Sequence, residues 1–271
     1  MSTHETSVQQ RQYVQANGLN IYYEEYGTGE PLVLIHGGMV NLTMWEHQIP
    51  LLAQHFRVIT LDNRGHGRTR NPVDTLDYRL MADDTAAFIR ALDLDQPLVC
   101  GYSDGGIIAL TLAVNHPRLA KAYLAGAAQY QYAEAYSEFT GMFGIEGAGS
   151  VNFEQFERAH PDFVQLFQAQ HDTFQGQDYW KSLLIAISKL WLAPLPYTLQ
   201  DLKTIGEPTL IVVGDRDDTL LPVEQAVDMY RAIPQAELAI VPNADHFLVW
   251  SKGELLARLM LDFLLRYGTS S

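Results

Sequence analysis

Three side chains that commonly act together in nucleophilic catalysis each follow a separate apolar run of the sequence. The first is Ser103, in the segment Gly101-Tyr102-Ser103-Asp104-Gly105, which lies between an apolar run and an apolar helical pattern. This G-x-S-x-G spacing is typical of a sharp strand-to-helix turn that exposes the serine over the positive end of a helix. The same spacing also arises by chance, in an ordinary turn with a serine near the helix N-cap.

A serine hydroxyl becomes a strong nucleophile only when a base within hydrogen-bond reach takes its proton. Of the nine histidines, His246 is the one that follows the last predicted strand in a turn, and we expect it to be that base. An acid behind the imidazole would fix its tautomer and stabilise the imidazolium. The cluster 215–218 follows another strand and supplies this acid, but the residues alone leave Asp217 and Asp218 as alternatives.

The rest of the sequence explains how these residues come together. A hairpin with an Asn17-Gly18 turn is followed by strands and helices in alternation, which predicts a mostly parallel, doubly wound α/β sheet. The predicted strands are 31–36, 56–61, 97–102, 119–126, 208–214 and 236–241, and the predicted helices are 42–54, 78–92, 106–115, 223–233 and 248–267, with a disordered tail at 268–271. Parallel strands end at one edge of the sheet, where ligands bind.

Two polar loops follow the first parallel strands. The loop His36-Gly37-Gly38-Met39 leaves backbone N–H groups free to bind a ligand, as an oxyanion hole requires, although a plain strand-to-helix turn would use the same residues. In the loop 62–69 we expect Arg64 and His66 to hold the loop by hydrogen bonds. On the following helix, the pair Asp83-Asp84 is expected on the solvated face.

The alternation breaks between about residues 127 and 198, where the patterns are helical or irregular with no convincing strand. About half of the aromatic residues fall in this segment. We therefore predict a core domain of residues 1–126 and 199–271 and a helical cap of residues 127–198 that lines an apolar pocket. A helical subdomain with its own core would use the same aromatic residues.

Composition narrows the choice of partners. The formal net charge of -14 over 271 residues argues against nucleic acid and anionic membranes as partners. The single cysteine, Cys100, allows no intramolecular disulfide, and residues 1–12 lack the apolar core of a signal peptide. We expect a cytoplasmic protein with a small-molecule substrate, no membrane insertion, no metal and no cofactor. The sequence does not indicate an oligomeric state.

Taken together, the motifs resemble those of α/β-hydrolases with a helical cap. They are His36-Gly37-Gly38, Asp62-x-Arg64-Gly65-x-Gly67, Gly101-x-Ser103-x-Gly105, Gly214-x-x-Asp217 and His246, and they span nearly the whole chain. The resemblance implies that the backbone N–H groups of Gly38 and Asp104 form the oxyanion hole. It also favours Asp217 as the acid by its distance from Gly214, whereas the distance to Pro222 fits Asp218.

The resemblance implies a serine esterase that forms an acyl-enzyme. The aromatic-rich cap and the acidic surface, together with the resemblance, predict a small-to-medium, neutral, apolar ester as its substrate. Candidate pocket residues are Met39, Tyr102, Tyr130, Met142, Phe143, Trp191 and Phe247. Serine at the nucleophile position argues against the dehalogenases and epoxide hydrolases of this family, which carry aspartate there. A C–C bond hydrolase is the first alternative, although its loop after His36 is usually richer in glycine. Lactonase, perhydrolase and acyltransferase activities, or a ligand-binding receptor with a retained triad, also fit the motifs.

Overall fold

A computed structural model of the chain describes Val8 and residues 10–73 and 75–268. The strands are β1 (Gln10–Ala16), β2 (Leu19–Tyr26), β3 (Glu30–Ile35), β4 (Phe56–Leu61), β5 (Leu98–Tyr102), β6 (Ala122–Gly126), β7 (Ile145–Gly147), β8 (Ser150–Val151), β9 (Thr209–Gly214) and β10 (Ala236–Val241). The α-helices are α1 (Ile49–Leu52), α2 (Tyr78–Ala91), α3 (Asp104–Asn115), α4 (Tyr136–Met142), α5 (Phe153–Ala159), α6 (Pro161–Phe167), α7 (Thr173–Gln175), α8 (Tyr179–Trp191), α9 (Leu199–Leu202), α10 (Val223–Ala232), α11 (Leu248–Ser251) and α12 (Gly253–Gly268). Across the described ranges, no helix combines the length and the apolar character that crossing a bilayer requires.

Eight strands form one sheet in the order β1-β2-β4-β3-β5-β6-β9-β10. Strand β2 pairs antiparallel with both β1 and β4, and the six strands from β4 to β10 in this order run parallel to one another. The hairpin turn has positive φ at Asn17 (47°) and Gly18 (73°), which is the conformation that its sequence predicted. Strands β5, β6 and β9 are buried along their whole length, as expected for central strands covered on both faces. The predicted α/β-hydrolase fold is confirmed.

Helices cover both faces of the sheet. On one face α2, α3 and α10 contribute buried apolar side chains such as Phe88, Ile108 and Met229 to one core. On the other face α1, α11 and α12 pack a second core that contains Trp45, Met260 and Phe263. The carboxyl ends of the parallel strands therefore meet at an edge bordered by elements from both layers.

Two predicted helices are interrupted. Instead of one helix over 42–54, the chain forms a 3₁₀ turn at Leu42–Trp45 and the short helix α1. Pro50 explains the break, because it lacks the N–H that a helix begun at residue 42 would need at this point. The predicted helix 248–267 divides at Lys252, whose φ of -128° is not helical. Its second part, α12, continues through Gly268, which the sequence had placed in a disordered tail; residues 269–271 lie outside the described ranges.

The segment between β6 and α9 carries helices α4 to α8 and a π-helical turn at Gln168–Asp172. It also contains the two-stranded ribbon β7-β8, so the expectation of no strand in this segment is wrong. The ribbon is short, and Gly149 with a φ of 81° makes its turn, which left no alternation long enough to recognise. Assignment of residues 127–198 to a separate cap domain stays a prediction.

A buried ion pair joins the loop after β4 to helix α2. The guanidinium of Arg64 makes two 2.7 Å contacts with the carboxylate of Asp84, and both side chains are about 95% buried. Asp84 thus does not lie on the solvated face, and its prediction is wrong, whereas Asp83 is exposed and contacts His116. The expectation that Arg64 structures its loop is confirmed.

We expect the substitution Asp84→Asn to lower the free energy of unfolding by about 3–5 kcal/mol, because it leaves the Arg64 charge buried without a counterion. The matched substitution Asp83→Asn, at an exposed pair, should change it by less than about 1 kcal/mol. Urea denaturation followed by circular dichroism measures both. Equal effects at the two positions would contradict the assigned role of the Arg64–Asp84 pair.

Candidate active site

Ser103 lies at the sharp turn between β5 and α3. Its φ of 57° and ψ of -123° belong to a strained region for a residue with a side chain. A Cβ atom at Gly101 would come within 1.9 Å of the carbonyl oxygen of Gly105, and one at Gly105 would come within 2.1 Å of that of Ile35. Both flanking positions therefore require glycine.

The three predicted catalytic side chains form one hydrogen-bonded chain. Nε2 of His246 lies 3.0 Å from Oγ of Ser103, and Nδ1 of His246 lies 2.9 Å from Oδ2 of Asp217. His246 and Asp217 are both buried, and the hydroxyl of Tyr102 donates to the carbonyl of His246 at 2.9 Å. The geometry is that of a serine, its general base and an orienting acid.

The three aspartates after β9 differ in burial and in hydrogen-bond partners. Asp217 points inward and is 2% exposed, whereas Asp218 is exposed. Asp215 accepts a hydrogen bond from the backbone N–H of Ala244 and so ties the acid loop to the loop that carries His246. The distance from the strand end at Gly214 was therefore a better guide to the acid than the distance to Pro222.

The glycine loop after β3 lies directly against the nucleophile. A Cβ atom at Gly37 would stand 3.2 Å from Cβ of Ser103. His36 fixes this loop, because its Nδ1 lies 2.6 Å from the carbonyl of Gly37 and its Nε2 accepts from the N–H of Asn63 at 2.9 Å. The N–H of Asp104 is the first of helix α3 and has no acceptor within that helix. Gly38 and Asp104 thus flank Ser103, where an oxyanion would form.

The Asp104 side chain has an environment that the sequence did not indicate. Its carboxylate accepts from the hydroxyl of Tyr78 at 2.8 Å and from Nε1 of Trp191 at 2.9 Å. A Cβ atom at Gly38 would come within 2.4 Å of Oδ2 of Asp104, so this carboxylate occupies the space that a side chain at position 38 would need. Burial raises the pKa of Asp104, and the two hydrogen bonds oppose this shift.

An apolar cavity of about 50 Å³ opens above Ser103 and His246. Of the predicted pocket residues, it is lined by Met39, Tyr102, Phe143, Trp191 and Phe247. Tyr130 and Met142 are not among its lining residues, so their prediction is wrong. The hydroxyl of Tyr130 instead bonds to Asp228 on α10.

Sequence reasoning missed further side chains of this cavity. Those missed are Val40, Met44, Phe139, Phe163, Leu166, Phe167 and Trp250. The ring of Phe139 contacts the His246 imidazole edge-on, with ring centroids 5.3 Å apart. The sequence shows that these residues are apolar, but apolar residues also fill the core. Only tertiary contacts show which of them line the cavity.

A cluster of three buried histidines links the inserted segment to the glycine loop. The His66 ring lies 5.1 Å from that of His36 and 5.8 Å from that of His171. His171 accepts from the N–H of Gly67 and donates from Nε2 to the carbonyl of Met39 at 3.0 Å. Burial lowers the pKa of His36 to about 3, that of His171 to about 4 and that of His66 well below its usual range, so the cluster is neutral at pH 7. The expected role of His66 in its loop is confirmed, because its Nδ1 bonds to the carbonyl of Arg64.

Known proteins carry the same architecture. The alpha/beta hydrolase family model matches residues 32–259, and the chain belongs to this family. A putative non-heme chloroperoxidase of Synechocystis sp. is 31% identical, over 91% of this chain and 95% of that protein. The 2-hydroxy-6-oxo-6-(2'-aminophenyl)hexa-2,4-dienoic acid hydrolase of Metapseudomonas resinovorans is 27% identical, over 94% and 90%. The solved structure of a thermophilic esterase from Thermogutta terrifontis is 25% identical, with a TM-score of 0.73 over 96% of this chain and all of that one.

We expect Asp217→Asn to slow labelling of Ser103 by a fluorophosphonate probe by about three to four orders of magnitude, because the amide no longer holds the reactive tautomer of His246. The matched substitution Asp218→Asn should leave the labelling rate within about threefold of the original. Gel fluorescence over time measures both rates. A larger loss from Asp218→Asn would assign the acid to that residue instead.

We also expect the stability cost of His171→Gln to depend on pH. In the unfolded chain a histidine takes up a proton below about pH 6.5, whereas folded His171 stays neutral down to about pH 4. The stability that His171 contributes is therefore lost as the pH falls through this window. The difference in unfolding free energy between variant and parent should shrink by about 2 kcal/mol from pH 7.5 to pH 5. Urea denaturation at both pH values measures it, and a constant difference would contradict burial of a neutral imidazole.

Proposed function

We propose that this protein is a serine hydrolase that cleaves a small-to-medium carboxylic ester through an acyl-enzyme. The observation that carries the proposal is the hydrogen-bonded chain from Asp217 through His246 to Ser103, at the base of an apolar cavity. A serine in this arrangement needs only an electrophilic carbonyl in the cavity to become acylated.

In the acylation step, Oγ of Ser103 attacks the ester carbonyl while its proton passes to Nε2 of His246. The Asp217 carboxylate stabilises the resulting imidazolium through Nδ1. The negative charge that develops on the carbonyl oxygen is stabilised by the backbone N–H groups of Gly38 and Asp104. His246 then returns the proton to the departing alkoxide, which leaves as an alcohol, and the acyl group remains on Ser103.

In the deacylation step, His246 takes a proton from a water molecule, and the hydroxide attacks the acyl carbonyl. The second tetrahedral intermediate collapses, the proton returns to Oγ of Ser103, and a carboxylic acid leaves. Both steps use the same base and the same backbone donors, so one set of residues serves the complete cycle.

The cavity supports an ester with a small acyl group. Its volume of about 50 Å³ leaves little room beyond a short chain, and its described lining contains no lysine or arginine. A substrate with a free carboxylate, such as the dienoic acid named for the Metapseudomonas relative, would find no cationic side chain in that lining. Similarity to the Thermogutta esterase favours ester chemistry, while the name of the Synechocystis relative makes perhydrolysis the related activity to test.

We expect 4-nitrophenyl acetate and butyrate to be hydrolysed faster than the octanoate and decanoate, because the cavity is short. Ser103→Ala should lower kcat about a million-fold, since no nucleophile remains. Release of 4-nitrophenolate measures the rates, and Ser182→Ala, at an exposed serine of α8, is the matched control.

Absence of turnover on every ester by the parent protein would overturn the ester proposal. Cleavage of a vinylogous 1,5-diketone by the same protein would then support the C–C hydrolase alternative. Saturable binding of an apolar ligand, with no chemistry at Ser103, would support a receptor.

A further inference from the structure

The mechanism uses the backbone of Asp104 and leaves its side chain without a role. This carboxylate is 5% exposed, and its hydrogen-bond donors, Tyr78 and Trp191, are both neutral. In the described part of the chain, Asp104 forms no ion pair. A carboxylate has about four lone-pair sites, so two donors leave acceptor capacity unused. A buried carboxylate beside a nucleophile is costly unless a positive charge joins it.

A second, separate observation lies in a small side cavity next to the nucleophile. This cavity of about 10 Å³ is lined by Ser103, Asp104, Gln129, Tyr136 and Leu220, among others. Gln129 is 2% exposed, and none of the described residues donates a hydrogen bond to its Oε1. Two buried side chains with acceptor oxygens, Asp104 and Gln129, thus line a space that holds about one water-sized group.

We propose that this side cavity binds the primary ammonium group of an α-amino acyl ester, between the Asp104 carboxylate and the Gln129 amide oxygen. The proposal rests on the proposed ester hydrolysis and specifies its substrate. An ammonium group supplies three donor protons and a positive charge, which matches both acceptors. A water molecule would match the size and the hydrogen bonds but not the charge.

The position of the cavity determines where the amine is attached. Ser103 lines both this cavity and the main one, so a substrate carbonyl at Ser103 lies beside the side cavity. An amine on the α-carbon is two bonds from the carbonyl carbon, the shortest link that keeps a free ammonium group, so we place the amine there. The side chain of the amino acid then enters the main cavity, whose small apolar volume suits alanine or valine. The expectation of an apolar substrate holds for that side chain, while the substrate as a whole carries a charge.

The test compares benzyl esters that differ at one α-substituent. The L-alanine ester carries an ammonium, the isobutyrate ester a methyl group of similar size, the lactate ester a hydroxyl, and the N-acetylalanine ester a blocked amine. At pH 6.5 the alanine amine is largely protonated. We expect kcat/KM for the alanine ester to exceed that for isobutyrate by about 10-fold or more, as for a hydrogen bond to a charged group. Chromatographic measurement of benzyl alcohol gives the rates.

Two variants test the roles of Asp104 and Gln129. The measured quantity is the ratio of kcat/KM for the alanine ester to kcat/KM for the isobutyrate ester, which does not depend on the fraction of folded enzyme. We expect Asp104→Asn to lower this ratio about 10-fold or more and Gln129→Leu to lower it by a smaller factor. Asp83→Asn, the same change at an exposed aspartate of α2, should keep the parent ratio.

A parent ratio near one, or a ratio unaffected by Asp104→Asn, would overturn the inference while leaving ester hydrolysis intact. Equal rates for lactate and alanine would also overturn it, because a neutral donor would then suffice. Rapid hydrolysis of the N-acetylalanine ester would exclude the confined ammonium site. If the parent hydrolysed none of the four esters faster than Ser103→Ala does, the result would instead contradict the proposed ester hydrolysis itself.

Discussion

The close approach of three backbone segments around Ser103 is the constraint on which the site depends. Gly101, Gly105 and the end of β3 at Ile35 lie so near one another that a single additional carbon at either glycine would overlap a carbonyl oxygen. This crowding keeps Ser103 in its strained conformation and holds the glycine loop against it. Packing of the main chain thus fixes Ser103, helix α3 and the glycine loop before any side chain contributes.

The parts of the site that depend on strand ends could be predicted from the sequence. Ser103, Asp217 and His246 each follow a recognisable strand, and parallel strands bring such residues to one edge. The misassigned residues depend on contacts that a linear pattern does not record. Asp84 occupies a polar position of its helix yet meets Arg64, and Tyr130 turns towards Asp228 and away from the nucleophile. Helical periodicity describes one element at a time, whereas these contacts join two.

The segment between β6 and α9 contributes to the site in two ways, which its amino-acid composition alone could not distinguish. Some of its aromatic residues, such as Phe139 and Trp191, form the wall of the cavity. His171 instead donates a hydrogen bond to the carbonyl of Met39, immediately after Gly38 in the glycine loop. Because burial lowers the pKa of all three imidazoles, they are neutral and provide directed hydrogen bonds without adding positive charge beside the glycine loop. A movement of this segment would therefore reach the glycine loop through His171.

The contact between the Asp104 carboxylate and the backbone of Gly38 has a consequence for how such proteins diverge. The two positions share one volume, so neither is free to vary alone. A side chain at position 38 would require a smaller residue at position 104. A variant that carried only this smaller residue at position 104 would leave the hydrogen-bond donors of Tyr78 and Trp191 without their acceptor. A side chain at position 38 is therefore expected to be tolerated only together with a change at position 104.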